Sequence, residues 1–187
     1  NVYHYLQAQA WRARFGWPDR QLHIYGITGT NGKTTTAIVL ASLLRQAHGR
    51  PAVGLLSTEY FWIGETEEEN NTHMTSTDAK IVFAKLRQMV SANVTHLVLE
   101  LTSYALDQHR LAGLELEGAI ITNITHEHLD YHGTMERLMA AKARIANYLQ
   151  PGATLVVNGD DKWSRAALDL MHRRHHDLTV QEFTRAQ

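Results

Sequence analysis

A doubly wound α/β fold with a mostly parallel sheet is predicted by three features of this sequence. Its strands are continuous apolar runs, amphipathic helices alternate with them, and a glycine-rich turn ends in Lys33-Thr34 where a strand meets a helix. Residues 2–15 set Tyr3, Leu6, Ala10 and Trp11 at helical spacing, and Trp17-Pro18-Asp19 breaks that pattern. LHIYGIT (22–28) is a strand that runs directly into TGTNGKTTT, after which 34–47 is a helix ended by Arg50-Pro51. AVGLLST (52–58) is the second strand. The polar, acidic stretch 64–77 is read as a loop, and 78–92 as a helix with Ile81, Val82, Leu86 and Met89 on one face.

HLVLELT (96–102) and GAIITNIT (118–125) are the next strands. A helix over 134–149 takes Thr134 as its N-cap. Pro151-Gly152 turns the chain into the strand ATLVVN (153–158), and Gly159-Asp160-Asp161 leads to a last helix near 161–173. No final element is evident between His172 and Gln187, so the sheet is expected to be incomplete at its C-terminal end. Residues 1–187 are read as one domain, with 1–21 as an N-terminal helix and linker.

Composition narrows the function. Net charge is −1, which gives no bulk field for nucleic acid or an anionic membrane. No cysteine is present, which excludes disulfides, thiolate metal sites and cysteine catalysis and is compatible with a cytoplasmic location. No apolar run approaches the ~20 residues of a membrane helix. Neither a nucleic-acid partner nor membrane insertion is expected, and the chain is read as a monomer.

The turn after the first strand carries the chemistry. Backbone N–H groups and a helix N-terminus aimed at one point, with a lysine beside them, hold a polyphosphate. Gly32-Lys33-Thr34 fits the end of the phosphate-loop pattern G-x-x-x-x-G-K-[ST], but Ile27 stands where its first glycine belongs. A chance Gly-Lys-Thr is the bland alternative, and the strand-to-helix setting argues against it. Lys33 is read as a β/γ-phosphate ligand and Thr34 as a hydroxyl ligand of Mg²⁺. Such a cation takes a carboxylate from a neighbouring strand end, which points to Glu100.

THEHLDYHGT (125–134) packs three histidines and two carboxylates into ten positions. It nearly matches the H-x-H-x-D-H cluster of binuclear hydrolases, but Tyr131 replaces the last histidine and His132 comes one residue late.

GITGTNGKTTT, ELTSYALDQHR (100–110), TNITHEHLDYHGTME (122–136) and AAKAR (140–144) together resemble the Mur ligase family, over roughly residues 22–161. Within it they look most like the ATP-dependent ligases that add the third amino acid to UDP-N-acetylmuramoyl-dipeptide. The resemblance implies the family's central ATP-binding domain, with ATP and Mg²⁺ as cofactors and a UDP-muramyl peptide and a free amino acid as substrates. Gly29, Thr30, Asn31, Gly32, Lys33, Thr34 and Thr35 would cradle ATP, with Asn123 beside them. Thr34 and Glu100 would hold one Mg²⁺ and His128 a second. Lys142 matches the lysine that the family carbamylates, and as a carbamate it would support that metal site. Lys33, His128 and Lys142 are the implied catalytic residues. Thr75, Ser76, Thr102, Gln108 and Arg110 match the residues that grip the muramyl peptide.

Without the resemblance, Lys142 would be read as an ordinary exposed helix lysine, and carbamylation requires its pKa to be lowered. The sequence departs from the family pattern at Thr77, Thr102 and Tyr104, and at His126-Glu127, which stand for Arg-Asp. The family's N-terminal domain before the first strand and its C-terminal domain after residue 161 are expected to be absent. The expected function is ATP-driven amide-bond formation through an acyl phosphate. Alternatives are another ligase on this scaffold (folylpolyglutamate or cyanophycin type), a nucleotide-binding domain inactive in isolation, and a binuclear metallohydrolase.

Overall fold

The computed structural model describes residues 2–70, 78–173 and 178–185. Its strands are β1 (His23–Thr28), β2 (Val53–Leu56), β3 (Tyr60–Ile63), β4 (Thr66–Glu69), β5 (His96–Glu100), β6 (Leu116–Ile121), β7 (Leu149–Asn158) and β8 (Thr179–Phe183). The helices are α1 (Val2–Arg14), α2 (Lys33–His48), α3 (Ala79–Ser91), α4 (Ser103–Asp107), α5 (Leu129–His132), α6 (Met135–Ala143) and α7 (Lys162–His172). All eight strands form one sheet in the order β4-β3-β2-β5-β1-β6-β7-β8. From β2 to β8 the neighbours run parallel, and β3 and β4 add an antiparallel hairpin at one edge.

The central strands are apolar on both sides because both sides are covered. Ile24, Leu97, Leu99, Leu116, Ile121 and Leu155 join residues of α1, α3, α4, α6 and α7 in the larger core. Ile27, Val53, Leu55 and Val98 pack with Ala37 and Ala41 of α2 in the smaller one. After β1 the chain crosses to β2 through α2. After β6 it moves the opposite way, to β7, through α5 and α6. The carboxyl ends of β1 and β6 therefore flank a switch point, where open α/β sheets bind ligands.

Several expectations need correction. The 64–77 region is not loop throughout. Tyr60–Ile63 and Thr66–Glu69 pair across a two-residue turn at Gly64, whose φ of +60° suits it to the turn. Acidic β4 hid this hairpin from a periodicity reading. Its solvent-facing edge is tied instead by Glu67 to Arg45 and Arg50 and by Glu68 to Lys85. Ile81 is 39% exposed, because the buried face of α3 runs through Val82, Phe83, Leu86 and Met89, one position round the helix. In α1, Tyr3 and Leu6 face solvent, and Ala8 and Arg12 are the buried residues.

The helix expected over 134–149 stops at Ala143 and tightens into a 3-10 turn over Arg144–Tyr148. Pro151-Gly152 lies inside β7, not before it. The register jumps from Leu116↔Leu149 to Gly118↔Thr154, and Gly152 at φ +82° takes the bend. The tail does form an element, since β8 pairs in parallel with β7. Its outward-facing polar residues concealed it. The N-cap role of Thr134 is observed, its hydroxyl accepting from the Arg137 amide.

Candidate functional site

β1 delivers the chain into the turn Gly29–Gly32, and two glycines shape it for different reasons. Gly29 has φ +147°, and a Cβ there would lie 2.0 Å from Thr122 Oγ1 and 3.0 Å from the Asn123 carbonyl. Gly32 has φ +79° with open space around it, so only its backbone conformation requires glycine. Gly26 is a strand residue packed against Leu116 and Leu101 and takes no part in the turn. Asn123 clamps the turn from just beyond β6. Its Oδ1 accepts from the Asn31 amide, its Nδ2 donates to the Asn31 carbonyl, and its own carbonyl accepts from the Thr30 amide. Thr30 and Thr125 exchange two further bonds.

The amides of Thr30 and Asn31 are thereby used internally. The open donors belong to the first turn of α2, whose N-cap Gly32 supplies no side-chain cap. An uncapped N-terminus carries a positive partial charge and free N–H groups. Lys33 Nζ lies across the turn, 2.8 Å from the Thr30 carbonyl, and Thr35 is exposed on the same helical turn.

Thr34 Oγ1 donates to Glu100 Oε2 at 3.0 Å, and Glu100 itself is 1% exposed. Thr58, just beyond β2, anchors the same carboxylate through its amide at 3.1 Å and its hydroxyl at 3.1 Å. Thr58 was missed in the sequence; the only signal was its place after an apolar strand end.

On the other side of the turn stands Lys142, 1% exposed on α6 and so not the surface lysine its neighbours suggest. Its Nζ donates to the Gly29 carbonyl at 2.7 Å and pairs with Glu127 Oε1 at 2.7 Å. Burial lowers the pKa of this amine to about 8. The Glu127 carboxylate opposes the shift, and Lys33 adds to it. A group held so near neutrality is a candidate reactive amine.

His128 follows Glu127, in the left-handed conformation at φ +47°, with its Nε2 4.0 Å from Glu127 Oε2. His126 is exposed, whereas His132 is buried against Ser103 Oγ at 3.0 Å, and burial lowers its pKa. The three histidines of this loop therefore diverge, and Asp130 faces solvent. Among the described residues no group of three or more His, Cys, Asp or Glu converges to hold a metal.

Of the expected substrate residues, Thr75 and Ser76, like Thr77, lie outside the described residues. Thr102 caps α4, its Oγ1 accepting from the Ala105 amide at 3.2 Å. Gln108 and Arg110 are bonded to each other, Arg110 Nε donating to Gln108 Oε1 at 2.9 Å. Tyr104, a departure from the family pattern, sets its ring edge-on to His128 at 4.9 Å and against Tyr131 at 4.6 Å.

Beside the turn opens a cavity of about 430 Å³ whose lining includes Asn31, Asn123, Asn158, Asp160, Phe183 and Arg185. Asp161 at its rim caps α7 through Ser164 and also accepts from the Ile124 amide, tying α7 to the 122–128 loop. Asn158 Nδ2 donates to the Thr122 carbonyl. The strand-end run Asn-Gly-Asp-Asp was the available signal for these residues.

The Mur ligase middle domain family matches residues 27–186. The chain belongs to this family. It is 42% identical over 160 residues, 84% of this chain and 32% of the relative, to a UDP-N-acetylmuramoyl-L-alanyl-D-glutamate–2,6-diaminopimelate ligase of Solibacter usitatus. It is 40% identical over 169 residues, 84% of this chain and 33% of the relative, to the UDP-N-acetylmuramyl-tripeptide synthetase of a Roseiflexus species. Among solved structures, one of a UDP-N-acetylmuramoyl-L-alanyl-D-glutamate–2,6-diaminopimelate ligase superposes with a TM-score of 0.76 at 27% identity, over 95% of this chain and 37% of that one. The Mycobacterium tuberculosis folylpolyglutamate synthase shares the fold, with a TM-score of 0.77 at 18% identity over 98% of this chain and 48% of its own. This Mur ligase domain spans about a third of the length of the curated relatives it matches.

Proposed function

We propose that this Mur ligase domain is the nucleotide-binding core of an ATP-dependent ligase. The ligase joins an amino acid to a UDP-N-acetylmuramoyl peptide in peptidoglycan precursor synthesis. The observation that carries the reading is the uncapped N-terminus of α2, flanked by Lys33 on one side and by the Thr34–Glu100 pair on the other. That grouping suits a triphosphate and a hard cation better than any other ligand class.

In this reading the amides of the first turn of α2 bind phosphate oxygens, and Lys33 exchanges the Thr30 carbonyl for the β/γ-phosphates. Asn123 keeps the turn rigid, and the cavity beside Asn158 and Phe183 takes the nucleoside. Thr34 Oγ1 and the Glu100 carboxylate, both oxygen donors, fit Mg²⁺, and His128 with a carbamylated Lys142 would hold a second ion. When bound, these ions neutralise phosphate charge. Thr75, Ser76, Thr102, Gln108 and Arg110 orient the acceptor peptide. Its carboxylate oxygen attacks the γ-phosphorus and ADP leaves. The amino group of the incoming amino acid then attacks the acyl carbon, loses a proton and expels phosphate. Lys33 offsets charge gathering on the transferred phosphoryl group, where positioning and electrostatics carry most of the catalysis.

The reading assigns the protein to the cytoplasm as a monomer. A nucleotide-binding domain that turns nothing over is the second reading. Calorimetry with ATP and Mg²⁺ tests what the two share: wild type binds, and Lys33→Ala does not while its circular dichroism is unchanged. Phosphate release on adding UDP-N-acetylmuramoyl-L-alanyl-D-glutamate with 2,6-diaminopimelate or lysine separates them. Wild type without ATP binding, or a Lys33→Ala variant that binds as well, overturns both.

A further inference from the structure

A second polar assembly lies one ring away from His128, and none of the roles above uses most of it. Between α4, α5 and α6 is a cleft of about 360 Å³ lined by Asp107, Tyr131, His132, Arg137 and Arg144, with Ala140 and Ala141 as small walls. A continuous hydrogen-bond relay runs from Arg110 to this cleft. Arg110 Nε donates to Gln108 Oε1 at 2.9 Å, and Gln108 Nε2 donates to Tyr131 Oη at 3.1 Å. Tyr131 Oη donates to Asp107 Oδ2 at 3.0 Å, and Asp107 Oδ1 meets Arg144 Nη2 at 3.4 Å.

The polarity of this relay is fixed at every link. A guanidinium can only donate, so the Gln108 oxygen must face Arg110 and its amide nitrogen must face Tyr131. The tyrosine hydroxyl, having accepted, spends its one proton on Asp107. Arg110 thus decides which way the Gln108 amide points, Asp107 decides the direction of Tyr131, and Tyr131 is the second anchor of Gln108. The relay begins and ends in an arginine. Arg144 keeps most of its five N–H donors beyond those facing Asp107 and His109. Arg137 has no side-chain hydrogen-bond or ion-pair partner among the described residues. Two guanidinia against one carboxylate leave the cleft short of one negative charge.

We infer that this cleft is an anion subsite for the acceptor. Arg137 and Arg144 hold a carboxylate of the peptide other than the one that is phosphorylated, and Tyr131 is a positioning residue that orients Gln108 toward the same molecule. Planar arginine forks match carboxylates in geometry as well as charge. The cleft also adjoins the reacting loop, because the Tyr131 ring packs on Tyr104 and the Tyr104 ring on His128. An acceptor ending in L-alanyl-D-glutamate has two carboxylates, one to be activated and one left to be read. This inference rests on the acceptor class proposed above.

The test compares UDP-N-acetylmuramoyl-L-alanyl-D-glutamate with its analogue in which the glutamate α-carboxylate is a carboxamide. Affinity of the protein for each is measured by calorimetry with a non-hydrolysable ATP analogue and Mg²⁺ present. Wild type should prefer the acid by about 10- to 100-fold, the range of a hydrogen bond to a charged group. Arg137→Ala, at an exposed position where folding is not at risk, and Arg144→Ala should each reduce that preference while binding the carboxamide as before. Tyr131→Phe should weaken binding of both acceptors alike, because Gln108 loses one of its two anchors while the carboxylate is untouched. Equal wild-type affinity for the two acceptors, or a preference that survives both arginine changes, overturns the subsite and leaves the ligase reading intact. If neither acceptor binds while the ATP analogue does, the acceptor class is wrong and the inference falls with it.

Discussion

Replacing Glu127 by glutamine removes the carboxylate that holds Lys142 in its ammonium form, and the consequence can be bounded from the structure. A pKa of about 8 in place of the ordinary 10.5 raises the free-amine fraction at pH 7 by about two orders of magnitude, and the free amine is the only form that attacks CO₂. Glu127 is the main group opposing it, 2.7 Å away. In Glu127→Gln the neutral fraction at pH 7 rises, by at most about an order of magnitude before deprotonation is complete. The carbamate would also lose a like-charged neighbour, so both effects act in the same direction.

The assay is ¹³C NMR of protein equilibrated with ¹³C-bicarbonate at pH 7, with Lys142→Met as the blank. Wild type should show a carbamate signal that the blank lacks and that grows as pH approaches 8. Glu127→Gln should show more of it at the same bicarbonate concentration. Equal or lower occupancy in Glu127→Gln, with its circular dichroism unchanged, would refute the view that this ion pair restrains the amine. No signal in wild type at pH 8 would refute the assignment of a reactive amine to Lys142.

Gly29→Ala and Gly32→Ala should differ in urea denaturation, although both glycines belong to one turn. At Gly32 the cost is the left-handed backbone alone, about 1–2 kcal/mol. At Gly29 the clash with Thr122 and Asn123 adds about 1–3 kcal/mol, so equal losses at the two sites would contradict the packing described. Glu100→Gln should leave ATP bound about equally well with and without Mg²⁺ in calorimetry, and a full Mg²⁺ enhancement would remove Glu100 from the cation site. Stability should fall as the pH drops below about 6.5. Burial lowers the pKa of His96, His109 and His132, so the unfolded chain binds more protons in that window, and the stabilisation is complete only above it. His96 is stacked on His48 at 3.9 Å and lies near His23, with Glu117 as the opposing carboxylate. His96→Phe should therefore flatten part of the slope in urea midpoints between pH 7.5 and 5.5, and a wild-type midpoint that rises on acidification would refute the sign.

What the sequence revealed depended on whether a residue's role is local. The central parallel strands were legible because burial on both faces leaves an unbroken apolar run. The turn was legible because glycine, lysine and threonine act within a few positions of one another. Lys142 could not be read this way, since its burial comes from packing of α6 against a turn 113 residues earlier in the chain. Thr58 was equally hidden, for its contact is with a carboxylate 42 residues further on. The β3–β4 hairpin and β8 failed for another reason. Edge strands face water on several positions, so they lack the apolar signal that marks central ones. Tyr131 entered the sequence reading as a missing histidine. Its relay joins residues from three elements, which no spacing rule anticipates.

The most conspicuous irregularity of the sequence, isoleucine at the position of the first glycine in the phosphate-loop pattern, has a structural cause. Ile27 is fully buried beneath α2, packed with Ala37 and Ala41, and β1 continues one residue further to Thr28. The strand thus occupies positions that a longer loop would use, and only Gly29–Gly32 remain to reverse the chain. So short a turn must press Gly29 against Thr122, and it has too few residues to hold its own shape. Asn123 and Thr125, in the loop that follows β6, brace it for that reason. Bracing consumes the Thr30 and Asn31 amides, so anion binding shifts to the helix end, where Lys33 and Thr34 already stand. The glycine count, the asparagine just past the neighbouring strand and the uncapped helix are therefore consequences of one choice, a longer strand and a shorter loop. Asn123→Ala, which removes the brace without touching the helix, should weaken ATP binding by about 10-fold or more, as expected for loss of paired hydrogen bonds. Unchanged affinity would mean that the turn keeps its shape unaided.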